Sequence, residues 1–118
     1  MLNSNFHVGS AVETDRGVFS GCNIENASYG LAVCAERVAI FSALASGAKQ
    51  FHRMAVCCRD AAPDAPTSAR MPCGACRQVI AEFFPPDAEV IVDGAGVWRV
   101  DQLLPNAFHL TRGDAENE

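Results

Sequence analysis

Apolar and polar positions alternate along Phe6–Val12, which predicts a strand. Thr14-Asp15-Arg16-Gly17 is a turn signal, and Val18–Cys22 returns as a second strand, so the chain opens with a hairpin. Residues 23–30 are polar and loop-like. From Ala32 to Ser46 the period changes: Val33, Val38, Phe41, Leu44 and Ala45 fit a helical stripe, and Gly47 stops it. Arg53–Cys58 reads as a buried strand, and Arg59–Met71, rich in Ala, Pro, Asp and Ser, as a loop. Cys73–Phe84 predicts a second helix ended by Pro85-Pro86. Glu89–Val92 and Val97–Val100 are strands around the turn Asp93-Gly94-Ala95-Gly96, and Asp101–Leu104 is a short helical turn before Pro105.

The order is β-β-α-β-α-β-β, an α/β layered sandwich. Only four residues separate Val92 from Val97. A crossover between parallel strands needs a dozen or more, so the last two strands must pair antiparallel.

Composition narrows the class. With 118 residues, 49% apolar and 19% charged, the chain suits one domain with one core. We place that domain at 1–110 and a flexible acidic tail at 111–118. The net charge of −5 and the lack of a Lys/Arg cluster argue against nucleic acid as a partner. No apolar run reaches membrane-spanning length, and residues 1–6 lack a signal-peptide layout, so no membrane is expected and the expected compartment is the cytoplasm.

Candidate chemistry concentrates in two segments, Cys34-Ala35-Glu36 and Pro72-Cys73-Gly74-Ala75-Cys76. Three thiolates leave one position of a tetrahedral zinc open for water, and the carboxylate two residues after the first thiolate is available to move protons. Each cysteine falls at a predicted helix start, where unpaired N–H groups favour the thiolate. The i,i+3 spacing of Cys73 and Cys76 brings both sulfurs to one side. Arg37 and Arg77 follow these segments and are placed to donate to sulfur, offsetting the excess charge of three thiolates. Other readings of the residues stay open. Cys73 and Cys76 also suit a redox pair, which leaves Cys34 and Glu36 unexplained. A closed structural zinc site needs a fourth ligand, and His7, His52 and His109 lack the spacing to supply it. Cys22, Cys57 and Cys58 read as buried thiols without chemistry, the last two on opposite strand faces.

The chain resembles the small zinc-dependent cytidine deaminases that act on free nucleosides. The matching segments are Ser4–Gly9, Gly21–Gly30, Cys34-Ala35-Glu36-Arg37 and Pro72-Cys73-Gly74-Ala75-Cys76-Arg77-Gln78, with weaker similarity through Leu103-Leu104-Pro105. The resemblance implies a three-layer α-β-α sandwich on a five-stranded mixed sheet. It implies one Zn2+ per subunit on Cys34, Cys73 and Cys76, with Glu36 as the proton shuttle while a hydroxide attacks C4 of the cytosine ring and ammonia leaves. Asn23 and Glu25 match a pair that binds the ribose hydroxyls, Phe6 a ring at the nucleoside pocket, and Ala35 a backbone contact to the base. The implied function is hydrolytic deamination of cytidine and 2′-deoxycytidine in pyrimidine salvage, by a homotetramer in which Phe108 reaches a neighbouring subunit's pocket.

Polynucleotide deaminases of similar fold generally run their last two strands parallel, which this chain cannot do. Blasticidin-type deaminases share the zinc motifs and are the nearer alternative, beside a truncated, non-catalytic zinc-binding relative. Three departures stand out. Only Met1-Leu2-Asn3 precedes the first motif, so the usual N-terminal helix is expected to be missing; Ser10 stands where alanine is usual; and Phe108-His109-Leu110 departs from a Phe-Gly ending.

Overall fold

In a computed structural model, which describes residues 8–23, 34–58 and 64–108, the elements follow the predicted order with shifted ends. Strand β1 spans Val8–Thr14 and β2 spans Gly17–Cys22. The hairpin turn is tighter than expected, because the Thr14 hydroxyl accepts from Arg16 N–H at 3.0 Å and donates to Gly17 O at 2.9 Å. Helix α1 covers Ala35–Ala45 and strand β3 covers Phe51–Cys58. A 3-10 turn, Thr67–Ala69, interrupts the segment read as loop. Helix α2 is Gly74–Phe83, β4 is Glu89–Val92, β5 is Gly96–Arg99, and a last turn of helix, α3, is Val100–Leu103.

The strands form one five-stranded sheet in the order β2-β1-β3-β4-β5. Only β3 and β4 pair in parallel, and α2 lies between them in sequence, as a parallel crossover requires. The short turn closes β4 and β5 into an antiparallel hairpin.

Alternation along the strands separates the two faces of the sheet. Ser10, Val12, Met54, Val56, Val90 and Val92 are buried, and the apolar ones share a core with Ala39, Ile40 and Ala43 of α1 and Ile80 and Ala81 of α2. The buried Ser10 hydroxyl is satisfied by Ala55 O at 2.9 Å. At the far end of α2, Phe84 stacks tilted against Phe51 with ring centroids 5.1 Å apart, tying the helix end to β3. The opposite face carries Ala11, Ala55 and Ile91 without a covering helix among the described residues.

That asymmetry corrects the reading of the cysteines. Cys58 is buried, but Cys22 and Cys57 are exposed. Both are cross-strand partners of Gly9 and share its uncovered face, so the alternation that buries Cys58 turns Cys57 outward. No helix among the described residues is long and apolar enough to cross a membrane.

Candidate metal centre

The two helix starts meet. Cys34 is the N-cap of α1, extended at φ −74° and ψ 152°, and its carbonyl accepts from Arg37 and Val38 N–H at 3.1 Å each. Its side chain makes no capping bond; the sulfur instead lies against Arg37 and Cys73. Cys73 is the N-cap of α2, and its Sγ accepts from Cys76 N–H at 3.4 Å. The Sγ atoms of Cys34 and Cys73 are 3.8 Å apart, and those of Cys73 and Cys76 are 3.4 Å apart. All three lie within 4.8 Å of one another, the one such cluster of metal-binding side chains among the described residues. Cys73 is exposed, Cys34 half-buried and Cys76 fully buried, so the group opens to solvent on one side.

Three sulfurs on two helix starts are a donor set chemically suited to zinc, and Cys34, Cys73 and Cys76 are positioned to hold a metal ion. Their electrostatics agree. A hydrogen bond from the Cys76 thiol pulls the Cys34 pKa down to about 5; Arg37 and Cys73 add to this, and burial opposes it. Cys76 is pushed strongly up by its bond to Cys34, then by burial and by the nearby Glu36. A divalent cation held by Cys34, Cys73 and Cys76 would displace the protons that the closely packed sulfurs share.

Glu36 sits in the first turn of α1, 4% exposed. Burial raises its pKa, and the Cys34 charge adds to the rise. A buried carboxyl with raised proton affinity beside thiolates is suited to taking up and releasing a proton. Arg37 donates from Nη2 to Cys34 Sγ at 3.7 Å, while its Nε is buried with no hydrogen-bond partner among the described residues.

Arg77 is placed differently. Its Nε donates to Pro72 O at 2.9 Å and its Nη1 to Leu103 O at 3.0 Å, so the guanidinium bridges the start of α2 to the end of α3. Ala35 is fully buried at the first position of α1, where its N–H has no partner within the helix. Asn23 directly follows β2; its Oδ1 accepts from Val8 N–H at 3.0 Å and its backbone N–H donates to Val8 O at 3.2 Å. Phe108 is 70% exposed, and its carbonyl accepts from Gln78 Nε2 on α2 at 2.9 Å. Phe6 and Glu25 lie outside the described residues, as do His7 and His109; His52 is exposed on β3.

Two neighbours of the site carried no signal for chemistry in the sequence. The buried Cys58 thiol donates to Arg70 O at 3.7 Å, and its pKa is raised by burial and by the charge of Glu36. Gly21 lies against α1 (below); a glycine inside a strand pattern was its one available mark.

Comparison with known proteins agrees with this geometry. A family model described as the cytidine and deoxycytidylate deaminase zinc-binding region matches residues 2–92. A cytidine deaminase of Sporosarcina psychrophila is 48% identical over 110 residues, covering 89% of this chain and 76% of its own. A blasticidin-S deaminase of Bacillus cereus is 32% identical over 105 residues, covering 84% and 74%. The crystal structure of a cytidine deaminase from Burkholderia pseudomallei superposes with a TM-score of 0.76 at 48% identity, covering 90% of this chain and 84% of that one. Two helix starts that gather three sulfurs beside a buried carboxyl, and a match that runs through both, place this chain in the cytidine and deoxycytidylate deaminase family with its zinc-binding region.

Proposed function

We propose that this protein hydrolytically deaminates cytidine and 2′-deoxycytidine to uridine and 2′-deoxyuridine, releasing ammonia. The observation that carries the reading is the Cys34–Cys73–Cys76 sulfur cluster with the buried Glu36 at its side. When bound by these three thiolates, a zinc ion supplies Lewis acidity that makes water a nucleophile near neutral pH. Glu36 takes a proton from the attacking water and gives it to the pyrimidine ring nitrogen; it then takes the proton of the new C4 hydroxyl and gives it to the amino group, which leaves C4 as ammonia. Arg37 holds Cys34 as a thiolate and offsets the negative charge of the sulfurs. The N–H of Ala35, unpaired within the helix, contacts the base.

Asn23, with Glu25, binds the ribose hydroxyls; the anchoring of Asn23 to Val8 supports a fixed orientation for that contact. Phe6 lines the nucleoside pocket. The exposed rings of Phe41 and Phe108 support assembly into a homotetramer in which Phe108 reaches a neighbouring pocket. The open apolar strip of Ala11, Ala55 and Ile91 supports a second helical layer and thus an α-β-α sandwich. The setting is cytoplasmic pyrimidine salvage.

The test is bound zinc per chain together with the ultraviolet loss of cytidine, 2′-deoxycytidine and blasticidin S. Turnover of the two nucleosides supports the reading. Turnover of blasticidin S alone moves the substrate to the antibiotic, and zinc without any turnover leaves a binding protein.

A further inference from the structure

Strand β2 runs beneath α1, and one residue on it has no side chain to separate the two. Gly21 pairs with Ser10, whose side chain is buried on the helix-covered face, so position 21 faces the same way. A Cβ there would stand 2.7 Å from the backbone nitrogen of Ala39, 2.8 Å from Val38 Cγ1 and 2.9 Å from Val38 Cβ. The backbone does not demand glycine: the glycines with positive φ are Gly17, Gly47, Gly94 and Gly96. Gly9, on the neighbouring strand, has no described residue within 4 Å of its would-be Cβ. Close approach is therefore what position 21 requires. The helix answers in kind, because Ala35, Ala39 and Ala43, all 0% exposed, form its i, i+4, i+8 row.

We propose that Gly21 is a positioning residue for the reaction, setting the depth at which α1 seats on β2. That depth fixes Cys34 against Cys73 and Cys76 and aims Glu36. The inference rests on the deaminase reading above. The nearest obstacle is a backbone atom in the body of α1, which cannot rotate away as a side chain would. Relaxing 2.7 Å to the 3.4 Å of an ordinary contact moves the helix by about 0.7 Å. Cys34 and Glu36 lie within two turns of that contact and travel with it. Asn23 follows two residues after Gly21, just past the end of β2 and bonded to Val8, so one contact also sets the sugar-binding end against the metal end.

The experiment uses the full chain as Gly21→Ala, with Co2+ as the probe of geometry through its thiolate charge-transfer and ligand-field bands. Two controls separate position from stability. Gly9→Ala adds the same methyl on the open face. Val90→Ala cuts into the core on β4, which is separated from β2 by two strands of the sheet. The expected Gly21→Ala protein binds Co2+ about tenfold more weakly with shifted bands. Its kcat on cytidine falls by about 100-fold, with a smaller change in KM. Gly9→Ala behaves as wild type, and Val90→Ala melts earlier yet keeps its bands and kcat while folded.

Wild-type Co2+ affinity, bands and kcat in Gly21→Ala overturn the proposal. So does an equal loss in Val90→Ala, which would make the effect one of stability. Should Gly21→Ala not fold, Val38→Ile extends Cγ1 toward the same contact; a smaller shift in the same direction sustains the proposal and wild-type behaviour overturns it. If the wild-type protein fails to turn over cytidine while Gly21→Ala still perturbs Co2+, the substrate reading fails and the positioning role stands.

Discussion

The starts of α1 and α2 both offer a cysteine at the N-cap, and they use it in opposite ways. Cys73 turns its sulfur back onto its own helix, accepting from Cys76 N–H, while Cys34 leaves its helix uncapped and turns its sulfur to Arg37 and Cys73. Two residues after the cysteine, α1 has Glu36 and α2 has Ala75. The nearby arginines also diverge: Arg37 reaches sulfur, and Arg77 reaches the carbonyls of Pro72 and Leu103. The same local device, a cysteine sulfur in the field of a helix N-terminus, is thus set in two ways, and under the proposed function one start holds while the other works. Helix α2 contributes two sulfurs on a start anchored to α3; helix α1 contributes one sulfur and a buried carboxyl.

That division can be broken at several points. Removing a ligand has the largest effect: Cys34→Ala should purify with far less than one metal per chain and show no turnover, and a metal-replete, active variant would end the three-sulfur assignment. Next, Arg37→Ala should lower metal affinity or activity by about 10- to 100-fold with little change in melting temperature, measured by chelator competition and initial rates. Arg77→Ala should do the reverse. It removes two charged hydrogen bonds to carbonyls and should cost about 1–3 kcal/mol in denaturant unfolding while metal content stays whole. Equal Co2+ spectral changes in the two arginine variants would dissolve the contrast between the helices.

The smallest effect lies far from the site. Backbone N–H groups of Gln50 and Lys49 hold the Asp15 carboxyl below its ordinary range. A depressed folded-state pKa stabilises above the unfolded value and is lost as pH falls through the folded one. Asp15→Ala should therefore melt slightly earlier than wild type at pH 7, and the gap should close in acid. A gap that widens in acid would refute that link while leaving the helix contrast untouched.

Much of this was legible in the residues. The four positions between Val92 and Val97 dictated the antiparallel hairpin through loop length alone, and the change of period at Ala32 marked the first helix. The sulfur cluster followed from placing Cys34, Cys73 and Cys76 at helix starts. What was not legible depends on which surfaces meet. Strand alternation separates Cys57 from Cys58 but does not say which face a helix covers, so it cannot tell that Cys22 and Cys57 are exposed. The partners of Arg77 depend on where α3 packs, which no local pattern around residue 77 encodes. Gly21 looks like any strand glycine until α1 lies 2.7 Å from its missing Cβ.

The most direct measurement is the metal content and cytidine turnover of Glu36→Gln beside wild type, which removes the charge of the working helix and leaves all three sulfurs. We predict one zinc per chain in both proteins and a kcat lowered by about 10²- to 10⁴-fold in the variant. Wild-type turnover in Glu36→Gln, or a variant that has lost its zinc, would contradict a helix start whose carboxyl moves protons without holding the metal.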